Sequence, residues 1–483
     1  MLRSVRPARR PARYRAPVSF SANPALPPPL PAGSAIVTWG DSGYQRGGFA
    51  SATLVDGKAA GGIHWATALT RQRGRHVIWF DPTATVANRI PAYGTAMANG
   101  NINFSGHNLS YWGDDVITGL GKRAAQVLAA NPGLIFIRAG SNDAKANATP
   151  QAIITALQAR IAQVIGPNRR IAIETLWPRQ VNTASPVATE VSVAQMATIL
   201  AVNAAIRANW QAWGAAALVD PFEQLRDLSH NPGDALYGSP APGFTIDGAH
   251  MTIRSSFIIG QLKAAAINAL IAPGAWFNRD AGGLVSNWNL NGTGGTLGSS
   301  CTGPVPAGYV IQNMAGAAQP VTAACSLSAN AETGGQTWTI NLNSAGGGGS
   351  DAFQEIRITN TAVASGFAPA DWFAFVPEIE VDGSATLACY QTGLTGTSGT
   401  STSRGLAQMG MTSGVAGNEY YPVNTGLSLE PATMPWNVGA ATNVQGSLRL
   451  FMRTDIAGVA TVRLKRWRIP LVGNPSIDAP WVP

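Results

Sequence analysis

Residues 35–44 read Ala35-Ile36-Val37-Thr38-Trp39-Gly40-Asp41-Ser42-Gly43-Tyr44. A short apolar, β-branched run gives way without transition to glycine, aspartate and serine. An apolar run of that length reads as a buried strand, and Gly, Asp and Ser are turn formers. The stretch therefore presents a serine at the carboxyl end of a strand. In an open α/β sheet that is the end at which ligands gather.

The surrounding pattern supports such a sheet. Ala35–Trp39, His76–Phe80, Leu134–Arg138, Arg170–Thr175 and Ala217–Asp220 read as strands. Asp114–Ala130, Pro150–Ile165, Val191–Trp213 and Thr252–Ile271 carry apolar residues at helical spacing. Strands alternating with helices predict a parallel sheet covered on both faces. The most apolar window, Met196–Val219, contains Asn203, Arg207, Asn209 and Gln211, so it reads as a buried or amphipathic helix and not a membrane span.

At 483 residues the chain exceeds one core, and its composition changes past Pro273-Gly274. Helical spacing ends there, and Gly, Thr, Ser and Asn become frequent. Strand-like runs follow at Gln336–Leu342, Phe353–Ile358, Trp372–Val381, Ser447–Arg453 and Ala460–Arg468. That is the pattern of an all-β sandwich of jelly-roll type. The glycine run Ser344–Ser350 falls between strands and reads as a loop within this domain.

Three units follow: a basic, Pro-rich arm over 1–33, an α/β domain over 34–272 and a β-sandwich over 273–483. The net charge of +8 is concentrated in the arm, because Arg3, Arg6, Arg9, Arg10, Arg13 and Arg15 lie in an acid-free stretch and removing them leaves +2. A near-neutral body argues against nucleic-acid binding as the main role. The arm lacks the uninterrupted apolar stretch of an export signal. Cys301, Cys325 and Cys389 lack metal-ligand spacing; their odd number permits at most one internal disulfide, with Cys301 and Cys325 the closest pair.

Three further stretches sit at the ends of predicted elements: Phe104-Ser105-Gly106-His107-Asn108, Gly140-Ser141-Asn142-Asp143 and Asp247-Gly248-Ala249-His250. With Gly40-Asp41-Ser42, they form an ordered set that resembles the SGNH (GDSL-type) hydrolases over roughly residues 34–272. The resemblance implies a three-layer α/β/α fold and ester or acyl hydrolysis, with no metal and no cofactor. By matching position it makes Ser42 the nucleophile, His250 the base and Asp247 the partner that orients the imidazole. It also implies an oxyanion hole from the backbone N–H of Ser42, the backbone N–H of Gly106 and the side-chain amide of Asn142. The segment before Gly106 departs from the family pattern, and Gly113 is the alternative. Asp41 and Asp143 read as structural acceptors, and His64, His76, His107 and His230 as the competing imidazoles.

His107, Tyr111 and Trp112 lie close to the predicted oxyanion hole and are the substrate-binding candidates. In the sandwich, Trp288, Tyr390, Tyr420, Tyr421 and Trp436 are candidates for stacking on sugars. An esterase joined to a Gly/Thr/Ser-rich sandwich and a basic arm looks like a bacteriophage tail-fibre or tailspike protein. That likeness implies an acylated surface polysaccharide as substrate, particle proteins as partners of the arm, and an extracellular or virion-associated setting. The oligomeric state is left open, with a homotrimer among the options. The alternative is a structural or glycan-binding virion protein whose hydrolase fold is not catalytic.

Overall fold

The computed structural model describes residues 20–22, 28–45, 61–76, 78–79, 105–110, 113–187, 189–245, 247–314, 321–348, 353–382, 386–398, 401–409, 426–433 and 435–473. Tyr111, Trp112, Tyr420, Tyr421 and the arginines of the arm lie outside them.

The α/β domain is organised on one sheet. Its strands are β1 (Phe20–Ala22), β2 (Ile36–Gly40), β5 (Leu134–Arg138), β6 (Arg170–Glu174) and β7 (Ala217–Val219), while β3 (Ile78–Trp79) and β4 (Ser105–Gly106) form a separate hairpin. The sheet order is β1-β7-β6-β5-β2. The three pairings from β2 to β7 are parallel, with Ile36 opposite Leu134 and Leu134 opposite Arg170. Successive side chains alternate between two cores. Val37, Trp39, Ile135, Ile137, Ile171 and Ile173 pack with the helices Pro150–Val164 and Val193–Asn209 on one face. Ile36, Leu134, Phe136 and Ala172 pack with Gly62–Leu69 and Ile253–Leu270 on the other. The result is the predicted three-layer α/β/α arrangement.

Local signals fix the helix starts. Thr149 accepts from Ala152 N at 3.2 Å and is followed by Pro150. Ser192 and Gln195 form a reciprocal capping box. The predicted helix Asp114–Ala130 is shorter than expected: turns occupy 116–119, a 3₁₀ turn covers Leu120–Arg123, and the α-helix spans only Ala124–Ala129. The Asp115 carboxylate accepts from the backbone N–H groups of Thr118 and Gly119, which stabilises a turn in competition with helix. His76–Phe80 also departs from expectation. Ile78–Trp79 pairs with Ser105–Gly106 instead of joining the main sheet.

β1 extends the main sheet, pairing antiparallel with β7 from Phe20↔Val219 to Ala22↔Ala217. Leu30 is buried in the same core and exchanges backbone hydrogen bonds with Leu270 O and Ala272 N, both at 2.8 Å. Phe20–Ala22 and Leu30 thus join the sheet and core of the α/β domain.

Beyond residue 273, two six-stranded sheets face each other. One runs in the order Ser401–Met409, Leu387–Ser398, Asn443–Arg453, Phe353–Asn360, Tyr309–Asn313, Thr296–Leu297. The other runs Ser428–Leu429, Val376–Asp382, Ala457–Arg468, Gly335–Ala345, Val321–Asn330, Cys301–Thr302. Cys301, Cys325 and Cys389 are buried free thiols. Trp65, Ala68 and Phe257 of the α/β domain belong to the sandwich core, with the Trp65 and Phe257 rings 5.0 Å apart. One continuous apolar core therefore joins the domains. No helix among the described residues is long and apolar enough to cross a membrane.

Candidate active site

The turn after β2 is built on close backbone approach. A Cβ at residue 40 would lie 2.4 Å from Arg138 O, and one at residue 43 would lie 2.1 Å from Arg138 Nη2. Only glycine fits on either side of Asp41-Ser42. Asp41 is buried, pairs with the Arg138 guanidinium, and accepts from Gly43 N at 2.9 Å and from Ser141 Oγ at 3.1 Å. One carboxylate thus ties the turn after β2 to the turn after β5, and so Ser42 to the neighbourhood of Asn142.

The loop before the last helix arrives at the same place. Asp247 Oδ1 accepts the backbone N–H groups of Ala249 (3.0 Å) and His250 (2.9 Å), closing a tight turn in which Gly248 takes a φ of +88°. Asp247 Oδ2 lies 2.8 Å from His250 Nδ1, and His250 Nε2 lies 3.0 Å from Ser42 Oγ. Serine, histidine and aspartate form one hydrogen-bonded chain. A carboxylate only accepts, so Nδ1 carries the proton and Nε2 turns its lone pair toward the hydroxyl. Burial works to raise the Asp247 pKa, but the hydrogen bond and charge of His250 and the two backbone donors outweigh it and hold it at about 2.

Asn142 stands at the other side. Its Nδ2 donates to Asp114 O at 2.8 Å, and Arg179 Nη1 donates to its Oδ1 at 3.4 Å and to Ser141 O at 3.2 Å. Asp143 is buried and accepts from Val116 N (2.9 Å) and Ile117 N (3.2 Å), which fixes the same loop against the helix that begins at Ser141.

Gly106 pairs with Ile78 in the β3–β4 hairpin. Asn108 bridges Thr38 in parallel register, with Thr38 N donating to His107 O and Leu109 N donating to Thr38 O, each at 2.9 Å. The chain then runs alongside β2 toward its carboxyl end. Gly106 lies before that bridge, in the hairpin with Ile78–Trp79. Gly113, exposed and with φ +78°, immediately precedes Asp114, whose carbonyl accepts from Asn142 Nδ2. The long insertion after β2 hides this register in the sequence.

His107 is also corrected. It is 1% exposed, with its ring 6.2 Å from that of His76, which in turn stands 5.8 Å from that of His64. Burial pushes His107 down to about 3 and His64 to about 4, so both are neutral core imidazoles and not part of an open substrate surface. Trp39, Trp177 and Trp210 are core residues, and Tyr390 is fully buried, which removes it from the sugar-stacking candidates. Trp288 and Trp436 are half-buried.

Beneath the serine lies a charged floor that the sequence did not reveal. Lys263 is buried, pairs with Glu174 and donates to Tyr44 Oη at 3.0 Å. Trp177 Nε1 donates to Glu174 Oε2 at 3.4 Å, and the Arg138 guanidinium stacks 3.8 Å from the Trp177 ring centroid. Burial pulls the Lys263 pKa down to about 8 against the opposing pull of Glu174. Among the described residues, no group of three or more His, Cys, Asp or Glu side chains is arranged to hold a metal ion.

No protein-family model matches the chain, and no curated relative matches its sequence. Solved structures do match. A lipase/acylhydrolase from Enterococcus faecalis is 16% identical, covering 50% of this chain and 98% of its own with a TM-score of 0.31. A GDSL-like lipase from Bacteroides thetaiotaomicron is 20% identical, covering 34% and 75% with a TM-score of 0.28. A carbohydrate-binding module of the β-sandwich superfamily is 12% identical, covering 34% of this chain and 56% of its own with a TM-score of 0.25.

Proposed function

We propose that the chain is a serine esterase that removes acyl groups, O-acetyl foremost, from a carbohydrate. The observation that carries this reading is the unbroken chain Ser42 Oγ, His250 Nε2, His250 Nδ1, Asp247 Oδ2, with steps of 3.0 and 2.8 Å across its two contacts.

The chemistry follows from the geometry. Ser42 Oγ attacks the ester carbonyl and passes its proton to His250 Nε2, while Asp247 stabilises the imidazolium. The carbonyl oxygen gains charge and meets the second hydrogen of Asn142 Nδ2 and the backbone N–H groups at Ser42 and Gly113. Such preorganised donors are worth about 3 kcal/mol each in the transition state. Collapse expels the sugar hydroxyl with the proton from His250. Water, deprotonated by the same imidazole, then releases the acid and regenerates Ser42.

The carbohydrate substrate and a place on a virus particle are supported by composition and by the fused sandwich. Purified protein is expected to release p-nitrophenol from p-nitrophenyl acetate and acetate from an O-acetylated polysaccharide, and Ser42→Ala to abolish both with an unchanged melting temperature. Wild-type turnover in Ser42→Ala overturns the mechanism. Release of p-nitrophenol alone, with no acetate from any acetylated glycan, overturns the substrate class.

A further inference from the structure

We infer that Arg179 is a positioning residue for the oxyanion donor: it locks the Asn142 amide in the one orientation that aims Nδ2 at the reacting carbonyl. This rests on the esterase reading above. A primary amide is nearly symmetric in shape, and its orientation is set by what its two ends meet. Here the two ends meet opposite demands. Arg179 offers only donors and meets Oδ1 at 3.4 Å, while Asp114 O offers only an acceptor and meets Nδ2 at 2.8 Å. Turning the amide over would set N–H against N–H at one end and C=O against C=O at the other. Because Asp114 O consumes one Nδ2 hydrogen, the second is left for the substrate oxygen.

The placement of Arg179 strengthens the assignment. It is buried at 8% exposure, and its Nη1 also donates to Ser141 O at 3.2 Å, so it grips both the side chain and the backbone of the turn after β5. Burial lowers the Arg179 pKa, and the carboxylates of Asp41 and Asp247 oppose that shift. The next residue completes the connection: Gln180 N donates to Gly248 O at 2.7 Å, inside the Asp247–His250 turn. Two adjacent residues thus hold the oxyanion donor and the base-bearing loop in register. Nothing in the local sequence Trp177-Pro178-Arg179-Gln180 announces this, since a lone arginine after a strand reads as a solvated charge.

The test is a double-mutant cycle on the full chain with p-nitrophenyl acetate. Arg179→Met is expected to lower kcat by about 10- to 100-fold with KM changed less than about 2-fold, because the lost interaction acts on the developing oxyanion. In an Asn142→Ala background the same change is expected to cost less than about 3-fold, since the amide it orients is gone. Arg179→Lys, which keeps a donor and the charge, is expected to stay within about 5-fold of wild type, and this variant guards against loss of fold in the Met variant. Full-size effects that multiply in the double mutant, or an Arg179→Met enzyme with wild-type kcat, overturn the inference while Ser42-dependent turnover still stands. Absence of any Ser42-dependent turnover in the wild type overturns both readings.

Discussion

Two buried charge clusters serve this chain in different ways. Under the nucleophile, each acid has one main basic partner: Asp41 with Arg138 and Glu174 with Lys263. At the seam between the domains, two fully buried carboxylates, Glu378 and Glu430, face four guanidiniums, those of Arg71, Arg279, Arg466 and Arg468. The first cluster hangs from the ends of β2, β5 and β6 and leads directly to Ser42. The second bridges three parts of the chain. Arg71 comes from the turn after Gly62–Leu69, Arg279 from the connection, and the rest from the sandwich. Arg71 and Gln72 even take left-handed backbone, with φ of 54° and 58°, to reach across. Gln72 Nε2 donates to Glu430 O at 2.5 Å, and Glu430 N donates to Ala68 O at 3.1 Å. Buried ion pairs contribute little net stability but are costly to break on one side. The difference therefore lies in what each cluster positions: the Ser42 turn in one case, a neighbouring domain in the other.

The largest effect expected is on the site side. Asp247→Asn should lower kcat roughly 10³- to 10⁴-fold, since the amide no longer favours the Nδ1-protonated imidazole. Its pH profile sharpens the point. The Asp247 carboxyl is held at about 2, below its ordinary 3.8, so it stays ionised as pH falls through the acid range and is lost only near pH 2. Ionisation of Asp247 should then add no limb to kcat/KM above the strongly acid range. A limb at moderately acid pH that is lost in Asp247→Asn alone would break this assignment.

On the seam side, the expected response is in stability and not in chemistry. Glu378→Gln leaves Arg71 and Arg466 without their shared carboxylate and should cost about 3 kcal/mol in chemical denaturation, with kcat within about 2-fold of wild type. Its pH signature has a definite sign. Burial would raise the Glu378 pKa, but Ser428, Arg466 and Arg71 outweigh it and bring it from 4.5 to about 2. The stability it contributes is fully present above about pH 4.5 and is lost as pH falls toward 2, so the gap between wild type and Glu378→Gln should close over that window. A loss of activity as large as that of Asp247→Asn, without loss of stability, would erase the distinction between the clusters. The smallest effect belongs to the half-buried outer face of the sandwich, where Lys465→Ala, which removes the 2.9 Å contact with Glu380, should change stability by less than about 1 kcal/mol.

The same contrast explains what could be read from the sequence. Ser42, Asn142, Asp247 and His250 were legible because the chemistry demands particular residue types next to strand ends, and β5 was read to the residue. Arg138, Glu174, Arg179 and Lys263 were not, because their partners lie tens of residues away and a lone charge looks the same on a surface as in a core. The register of Gly106 and Gly113 was not legible either, since a long insertion after β2 obscures which glycine precedes and which follows the parallel bridge at Thr38. In the sandwich, Gly335–Ala345 and Phe353–Asn360 alternate visibly, whereas Leu387–Ser398 and Ser401–Met409 are rich in Gly, Ser and Thr and give no apolar period. Strand β1 was hidden in a Pro-rich stretch that local propensity reads as a spacer.

The central claim is that Ser42 is made nucleophilic by His250. Intact-mass analysis after treatment with a fluorophosphonate tests it most directly. The account predicts one adduct per chain, mapped to Ser42, formed at least about 10³-fold more slowly in His250→Ala and absent in Ser42→Ala. An adduct on another residue, or labelling of Ser42 at an unchanged rate without the imidazole, would contradict it.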